Sequence, residues 1–569
     1  MKKFLTVLTA GAMGLSLAAC SSQPAPSASE TSGTKTSASE TSGTKTSASE
    51  TSGTKTSATG ERVTLAKEND AISLDSSYAT DGMSFEMIAA SVEGLETMDK
   101  DGNAVPGIAE SYELSDDGLT YTFHLRDANW DNGTPVTAND FVFAWNYTAA
   151  NPKAEYAYLF TADGACVENA EAIVYDGETD KKLGIKAVDD KTFEVKLSTK
   201  CPYFLSLMTF PVFYPINQEF FEAQGDNYGL TADNLLANGP YKLTQWTKGS
   251  SLSFDKNESY WDAENVKVAG IDVNIVPEAS TSALSFENGQ TDFTKLNSTL
   301  VDKYKDSPSY TTYLEGYLWY LQYNLNNEYL KNENLRKAIA TVIDRTDLCD
   351  NVLKDGSIAI GGFVPEAFAA GPDGKDYTDG AKKFYEEVGD DGLKAAEEYW
   401  NKAKEELGVD SISLRLLYEP SDPAKPAAEF IQSEIQKLPG LTIEMVSQEK
   451  ENRIELQKAR DFDIVLTRWG PDYADPTTYL NLMVTGNSYN YGDYSSPEYD
   501  AMIQDAANAA TPEERWELLH KAEELLMEDS PVVGIFQVGG ASLVNQKVTG
   551  IEAHSFGVPY IYKNLAKTE

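Results

Sequence analysis

Histidine is nearly missing from this chain: His124, His520 and His554 are the three it has. None belongs to a His-Glu-x-x-His pattern, which excludes the familiar two-histidine zinc hydrolase arrangement. A Gly-x-Ser-x-Gly nucleophile elbow is absent, and so is a phosphate loop ending in Lys-Ser/Thr. His124 falls on the polar face of a predicted hairpin. His520 falls in a helical pattern over Pro512 to Met527 with Trp516, Leu519 and Leu526 as its apolar stripe, and both read as structural. No carboxylate pair stands out against so acidic a background. The expectation is a protein that is not an enzyme, with no cofactor and no metal.

Cysteine is scarce as well, with four in 569 residues. Cys166, Cys201 and Cys349 match no zinc spacing, and Cys20 belongs to a separate N-terminal pattern. Positive charge is outnumbered, 47 Lys and Arg against 89 Asp and Glu, a formal net charge of -42. That balance argues against nucleic acid and against electrostatic docking on anionic lipid. Long apolar runs are lacking too. The one at Phe4 to Leu17, after Met1-Lys2-Lys3, is too short to persist as a spanning helix and reads as a secretory signal.

What is present begins where that signal ends. Leu17-Ala18-Ala19-Cys20 resembles the bacterial lipobox, in which the cysteine is acylated and becomes the first mature residue. Residues 1–20 are therefore read as a lipoprotein signal peptide and Cys20 as the anchor, on the extracellular face of a bacterial cell membrane. Residues 21–60 carry three copies of Ser-Ala-Ser-Glu-Thr-Ser-Gly-Thr-Lys-Thr, starting at Ser27, Ser37 and Ser47. Each copy is neutral, with no large apolar side chain, and cannot bury a core. As a flexible coil of about forty residues it spans roughly 35 Å on average and about 130 Å at full stretch.

The whole chain is 41% hydrophobic, and it carries 31 tyrosines, all after residue 60, an amphipathic side chain suited to binding surfaces. Val63 to Ala66 reads as a first strand, and Ser84 to Gly94 as a helix. Asp99 to Glu110 imitates a calcium loop, but Ala104 stands where glycine is needed, so a hairpin turn at Asp101-Gly102 is the better reading. Tyr112 to Arg126 reads as a second hairpin, and Thr137 to Asp140 opens a helix with a capping box. Further on, Leu335 to Asp347 reads as a helix carrying Cys349 in its continuation. The periodicity from Ile412 to Trp469 is β-α-β-α-β, the unit of a largely parallel sheet.

That last strand leads into Phe462 to Pro476. Ile464 to Thr467 is apolar and β-branched, Gly470-Pro471 breaks it, and Asp475-Pro476 starts a helix over Thr477 to Met483. Trp469, Asp472 and Tyr473 thus stand on a loop leaving the carboxyl end of a strand, where open α/β sheets place ligands. A carboxylate between two aromatics suits a small cationic group. A surface turn with a solvated Asp is the alternative.

Several stretches together resemble the extracellular solute-binding proteins of peptide ABC transporters, nearest the oligopeptide-binding group. They are Ala109 to Tyr112, Asp116 to Tyr121, Leu125-Arg126, Trp130, Thr137 to Asp140, Asn238 to Tyr241, Lys256 to Trp261, Asn334 to Arg345, and Trp469 to Pro476. The resemblance covers nearly everything after residue 60. It implies an α/β, two-lobed periplasmic-binding-protein-like clamp of type II, with an extra subdomain in the first lobe. Lobe I would run over 61–310 including the subdomain at about 99–200, lobe II over 311–527, and 528–569 would return to lobe I.

By the same resemblance the ligand is an oligopeptide held extended by main-chain bonds. Asp472 would take its α-ammonium, with Trp469 and Tyr473 lining the same pocket and Tyr317 a further candidate unless it serves hinge packing. Some relatives carry an Arg three residues before the Trp; here that position is Leu466, with Arg468 nearby on the turn side. No carboxylate-binding residue is therefore carried over. The partners implied are membrane-embedded ABC permease subunits, with membrane contact only through the anchor and the protein a monomer. A peptide sensor or adhesin using the same clamp without import is the alternative function. Nickel, haem or oligosaccharide as ligand is disfavoured, since neutral sugars need no buried carboxylate. For the remaining cysteines, an oxidising exterior suggests a Cys166–Cys201 bridge, closing a loop of about 35 residues for ~2–4 kcal/mol, or else three small buried hydrophobes.

Overall fold

The computed structural model describes residues 60–178, 180–385 and 390–568. The signal segment, Cys20 and the repeats before residue 60 lie outside the described residues. The fold is a two-lobed α/β clamp organised on one mixed sheet of eleven strands. Two long antiparallel strands run through its middle, Tyr310–Tyr323 and Val532–Val544.

On one side of this pair lie Phe293–Leu296, Arg62–Lys67, Gly270–Ile275, Ser251–Lys256 and Tyr241–Thr247 in that order. On the other side lie Ile464–Trp469, Ile412–Tyr418 and Leu441–Ser447. Each of the two long strands therefore borders one wing and its antiparallel partner. The second wing has the parallel pairing expected from its β-α-β-α-β pattern, Ile412–Tyr418 lying parallel to both neighbours. Parallel neighbours need crossover helices, and Ala424–Ile435 and Lys450–Lys458 supply them. Ile464, Val465 and Leu466 are buried completely, as a strand covered on both faces requires.

A separate four-stranded antiparallel sheet is built from Ala109–Leu114, Thr120–Leu125, Thr192–Lys196 and Ile185–Asp189. Tyr121, Phe123 and Leu125 alternate inward along its second strand. The helix Ala138–Ala150 packs beside it, its first turn closed by the Asp140 carboxylate accepting from the Thr137 N–H at 2.8 Å. The calcium-like stretch is a hairpin: Glu96–Met98 pairs with Ala104–Pro106 across a turn with Gly102 at φ +82°.

Two helix expectations need adjusting. The first helix starts at Gly82, two residues ahead of Ser84, because the Asp81 carboxylate accepts from the Ser84 N–H at 2.9 Å. The helix expected over Leu335 to Asp347 stops at Val342, and Arg345–Asp347 is a separate turn. The buried Arg345 guanidinium causes the break by donating to the carbonyls of Ala340, Ile343 and Gly534. Those bonds satisfy acceptors that a helix end leaves open. Cys349 is buried in the following turn, Leu348–Leu353.

The bridge expected between Cys166 and Cys201 is not formed. Both are free, buried thiols, and each approaches the Gly164 carbonyl, at 3.8 and 3.6 Å. With Cys349, they are the small buried residues of the alternative reading.

Candidate functional site

The strand Ile464–Trp469 ends beside Leu318 of the first long strand, and the chain then turns sharply at Gly470-Pro471. Glycine is required there: a Cβ on Gly470 would lie 2.3 Å from the Tyr317 ring. The facing strand has the same need, since a Cβ on Gly316 would sit 2.1 Å from the Ser555 carbonyl oxygen. Just there the ladder slips. Leu314 faces Gly539 and Leu318 faces Gln537, four steps on one strand against two on the other. The two extra residues push Glu315 to Tyr317 off the regular ladder, as a bulge does.

These irregularities open a cavity of about 510 Å³ between the wings, with Asp472 in its wall. The Asp472 carboxylate is partly exposed to the cavity. Its one hydrogen-bond donor among the described residues is the Tyr158 hydroxyl, which reaches across from the other wing at 2.8 Å. No cation pairs with it among the described residues. Burial pushes its pKa up to about 6, opposed only by the Tyr158 bond. A carboxylate held this way gains most from a ligand cation that brings its own N–H donors.

Trp469 and Tyr317 line the same cavity. The Trp469 indole N–H donates to Thr478 Oγ1 at 3.2 Å and its ring meets Tyr489 edge-on at 4.8 Å. Tyr317 is 42% exposed, with the Arg468 guanidinium 5.4 Å from its ring centre. Arg468 thus packs beside the cavity, while Leu466 is wholly buried in the core beneath. Tyr473 does not reach the cavity. Alternation along the loop turns it to the opposite side, where it is 3% exposed and stacked on Tyr203 at 3.9 Å and 6°. It is part of the wall's support rather than its surface.

Sequence reasoning missed most of the opposite wall. Tyr156 and Tyr158 stand on a short 3₁₀ segment, Glu155–Phe160, both with ionisation suppressed chiefly by burial. Farther along lie Lys67, Glu86, Lys295, Tyr313, Glu315, His554 and Tyr560. The Lys67 ammonium pairs with Glu86 at 2.6 Å, both nearly inaccessible, and lies 4.1 Å from the Tyr560 ring centre. Burial drives the His554 pKa down to about 4, leaving a neutral ring. The only available signal was the abundance of tyrosine, which names no position. The other two histidines are structural in place: His520 Nε2 meets the Tyr377 carbonyl at 2.9 Å, and His124 lies on the outer hairpin.

The family model described as bacterial extracellular solute-binding proteins, family 5 Middle, matches residues 103–491. A dipeptide-binding protein of Lactococcus lactis subsp. cremoris is 35% identical over 521 residues, covering 87% of this chain and 92% of that protein. The dipeptide-binding protein DppE of Bacillus subtilis is 32% identical, with 88% and 91% covered. Among solved structures, Listeria monocytogenes OppA bound to peptide superimposes with a TM-score of 0.70 at 34% identity, covering 90% of this chain and all of that one. The murein tripeptide binding protein MppA, in an unliganded open form, reaches 0.77 at 25% identity, over 90% and 98%.

Proposed function

This chain belongs to the bacterial extracellular solute-binding proteins of family 5, and from that membership we propose that it captures short peptides in the cavity around Asp472. One observation carries the reading. Asp472 is a poorly solvated carboxylate in the cleft wall with a single phenol as donor and no cation beside it. A peptide's α-ammonium supplies both the charge and the donors. Trp469 and Tyr317 give apolar flanks that accept varied side chains, and Tyr473 holds the loop in place from behind. Relatives named as dipeptide- and oligopeptide-binding proteins support the same ligand class.

The finer assignments are part of the same proposal. Residues 61–310 and 528–569 form lobe I, with the added subdomain at about 99–200, and 311–527 form lobe II. Cys20 carries the lipid after removal of residues 1–20, and residues 21–60 tether the clamp outside the membrane. From there the protein hands peptide to an ABC permease as a monomer, without chemistry of its own. Calorimetry with a tripeptide and its N-acetylated form tests the central claim. The unmodified peptide is expected to bind and the acetylated one to bind at least tenfold more weakly. Equal affinities would overturn the role given to Asp472, and no binding of either would overturn the peptide reading.

A further inference from the structure

A second groove, of about 600 Å³, runs along the seam between the wings, behind the loop that carries Asp472. The loop serves both spaces. Asp472 stands in the wall of the peptide cavity, while Ala474 and Asp475 stand in the wall of this one. Tyr121, Lys200 and Tyr203 line the groove from the side of the four-stranded sheet. Ala509, Ala510 and Arg515 line it from the helix Pro512–Asp529 and the link that precedes it. Small side chains on that link keep the groove open, and its volume is that of an ordinary small-molecule site.

Arg515 is the anomaly in that wall. It is 9% exposed, and its one hydrogen bond among the described residues runs from Nη2 to Asp475 at 2.8 Å. A guanidinium carries five N–H donors, and here even the buried Nε has no acceptor. Buried donors are seldom left that way. Lys200 adds a second cation, its stem lying along the hairpin turn at Gly118. Its ammonium enters no ion pair among the described residues. Asp116, the remaining charge in the lining, is on the exposed turn itself. The group this wall lacks is an acceptor that can meet a planar fork, and a carboxylate does so with both oxygens.

We propose that this seam groove is a second binding site, for a small amphipathic monocarboxylate. Its carboxylate takes the unpaired donors of Arg515, and its hydrocarbon body lies between Tyr121 and Tyr203 on one side and the alanines on the other. Lys200 at the rim adds to the attraction for an anion. Both wings line the groove, so the site is complete only while they are apposed. A molecule bound across the seam therefore favours the closed arrangement, and a ligand that needs closure gains from its presence. By linkage the gain in affinity is mutual. That coupling rests on the peptide reading above, whereas the site itself stands on its own walls.

A groove left only by imperfect fit of the wings has no preference for charge, and ligand chemistry separates the two readings. Calorimetry with 3-phenylpropionate and its neutral amide is run on the wild type, Ala510→Trp and Arg515→Lys. The acid is expected to bind the wild type at least about tenfold more tightly than the amide. Ala510 is exposed, so a larger ring there fills the groove without entering the core. That variant should weaken the acid about tenfold or more, and should keep tripeptide affinity measured without the acid within about twofold. Arg515→Lys keeps the charge opposite Asp475 but loses the fork, which should bring the preference for acid over amide below about threefold. Saturating acid should tighten tripeptide binding about threefold or more in the wild type and leave it unchanged in Ala510→Trp. Equal binding of acid and amide by the wild type, or no binding of the acid, overturns the site. Undiminished acid binding by Ala510→Trp overturns its location, and acid binding with unaltered tripeptide affinity overturns the coupling. The comparison of acid with amide needs no mutant, so a misfolded variant leaves the test intact. If the acid binds and no tripeptide does, the peptide reading fails and the groove remains.

Discussion

Asp472 and Asp475 sit three residues apart on one loop, and the fold treats them in opposite ways. Asp475 is 5% exposed and well supplied with donors: its Oδ1 accepts from Arg515 at 2.8 Å, from the Thr477 N–H at 3.0 Å and from Thr477 Oγ1 at 2.6 Å. It starts the helix Thr477–Leu480 and ties it to the long helix Pro512–Asp529. Asp472 has one phenol and a pKa near 6. The side chains are chemically identical, so the difference lies in how many donors the surroundings supply. A carboxylate supplied with a cation and several donors by its neighbours belongs to the fold. One left short of donors in a cleft is held for something that arrives later.

The comparison is broken most severely at Asp475. Arg515→Met leaves that carboxylate buried beside a neutral side chain, and losing one partner of a buried pair costs about 3–5 kcal/mol. Urea denaturation should show a loss of that size, while the variant's preference for unmodified over acetylated peptide stays as in the wild type. A loss below about 1 kcal/mol would mean that the Thr477 bonds alone satisfy Asp475.

Asp472→Asn should do the reverse. The fold keeps its stability to within about 1 kcal/mol, since the residue is on a loop and the amide preserves its size. Binding loses about 2–5 kcal/mol because the bound ammonium is stranded in a poorly solvated site, roughly thirty-fold to a few thousand-fold in affinity. Combining the variant with acetylated peptide gives a double-mutant cycle. A coupling energy near zero would reduce Asp472 to a turn residue.

Acidity should test Asp472 next. With its pKa raised to about 6, Asp472 is ionised at pH 7 and takes up a proton below pH 6 in the empty cleft. An ammonium bound beside it favours the ionised form, so the bound carboxylate titrates lower than the empty one. Ligand and proton then compete only below about pH 6. Affinity is expected to reach its maximum between about pH 7 and 6.5, where the peptide's α-amine is largely protonated, and to fall by up to about tenfold per unit beneath that. In Asp472→Asn the fall should vanish. A wild-type affinity that rises on acidification below about pH 6 has the wrong sign and would place the titrating group elsewhere.

Much of this was readable in the sequence, for local reasons. The alternation through Tyr121 to Leu125, the β-branched run at Ile464 and the capping pattern at Thr137 each follow from a short period or one side chain's reach, and each formed as expected. Asp472 was also legible, because Gly470-Pro471 and Pro476 bracket it at a strand end. What could not be read depends on residues far apart in the chain. Tyr158 lies 314 residues before the carboxylate it binds, and Lys67 and Lys295 meet only because their strands are neighbours in one sheet. Tyr473 was misplaced for a subtler reason. Sequence puts it next to Asp472, but which side of a loop faces the cavity is set by packing on Tyr203, not by adjacency.

Tyr473 gives the smallest test, and it asks whether the two aspartates are separated by anything more than donors. Its ring lies between them in sequence, stacked on Tyr203 from the opposite wing, and the Ala474 N–H next to it donates to Ser206 Oγ at 3.0 Å. These contacts join the two wings behind the cavity wall. An aromatic pair contributes about 0.5–1.5 kcal/mol beyond the area it buries. Tyr473→Leu should therefore shift the clamp toward its open arrangement and weaken peptide binding by about two- to tenfold, since closure is coupled to binding. A positioning role makes a distinct demand on this variant. Unmodified and acetylated peptides should lose affinity by the same factor, because neither touches the ring, and scattering should give a larger radius of gyration at equal peptide concentration. If instead only the unmodified peptide weakens, Tyr473 acts through the ammonium itself, and the wall it supports would have to be redrawn with its ring on the ligand's side.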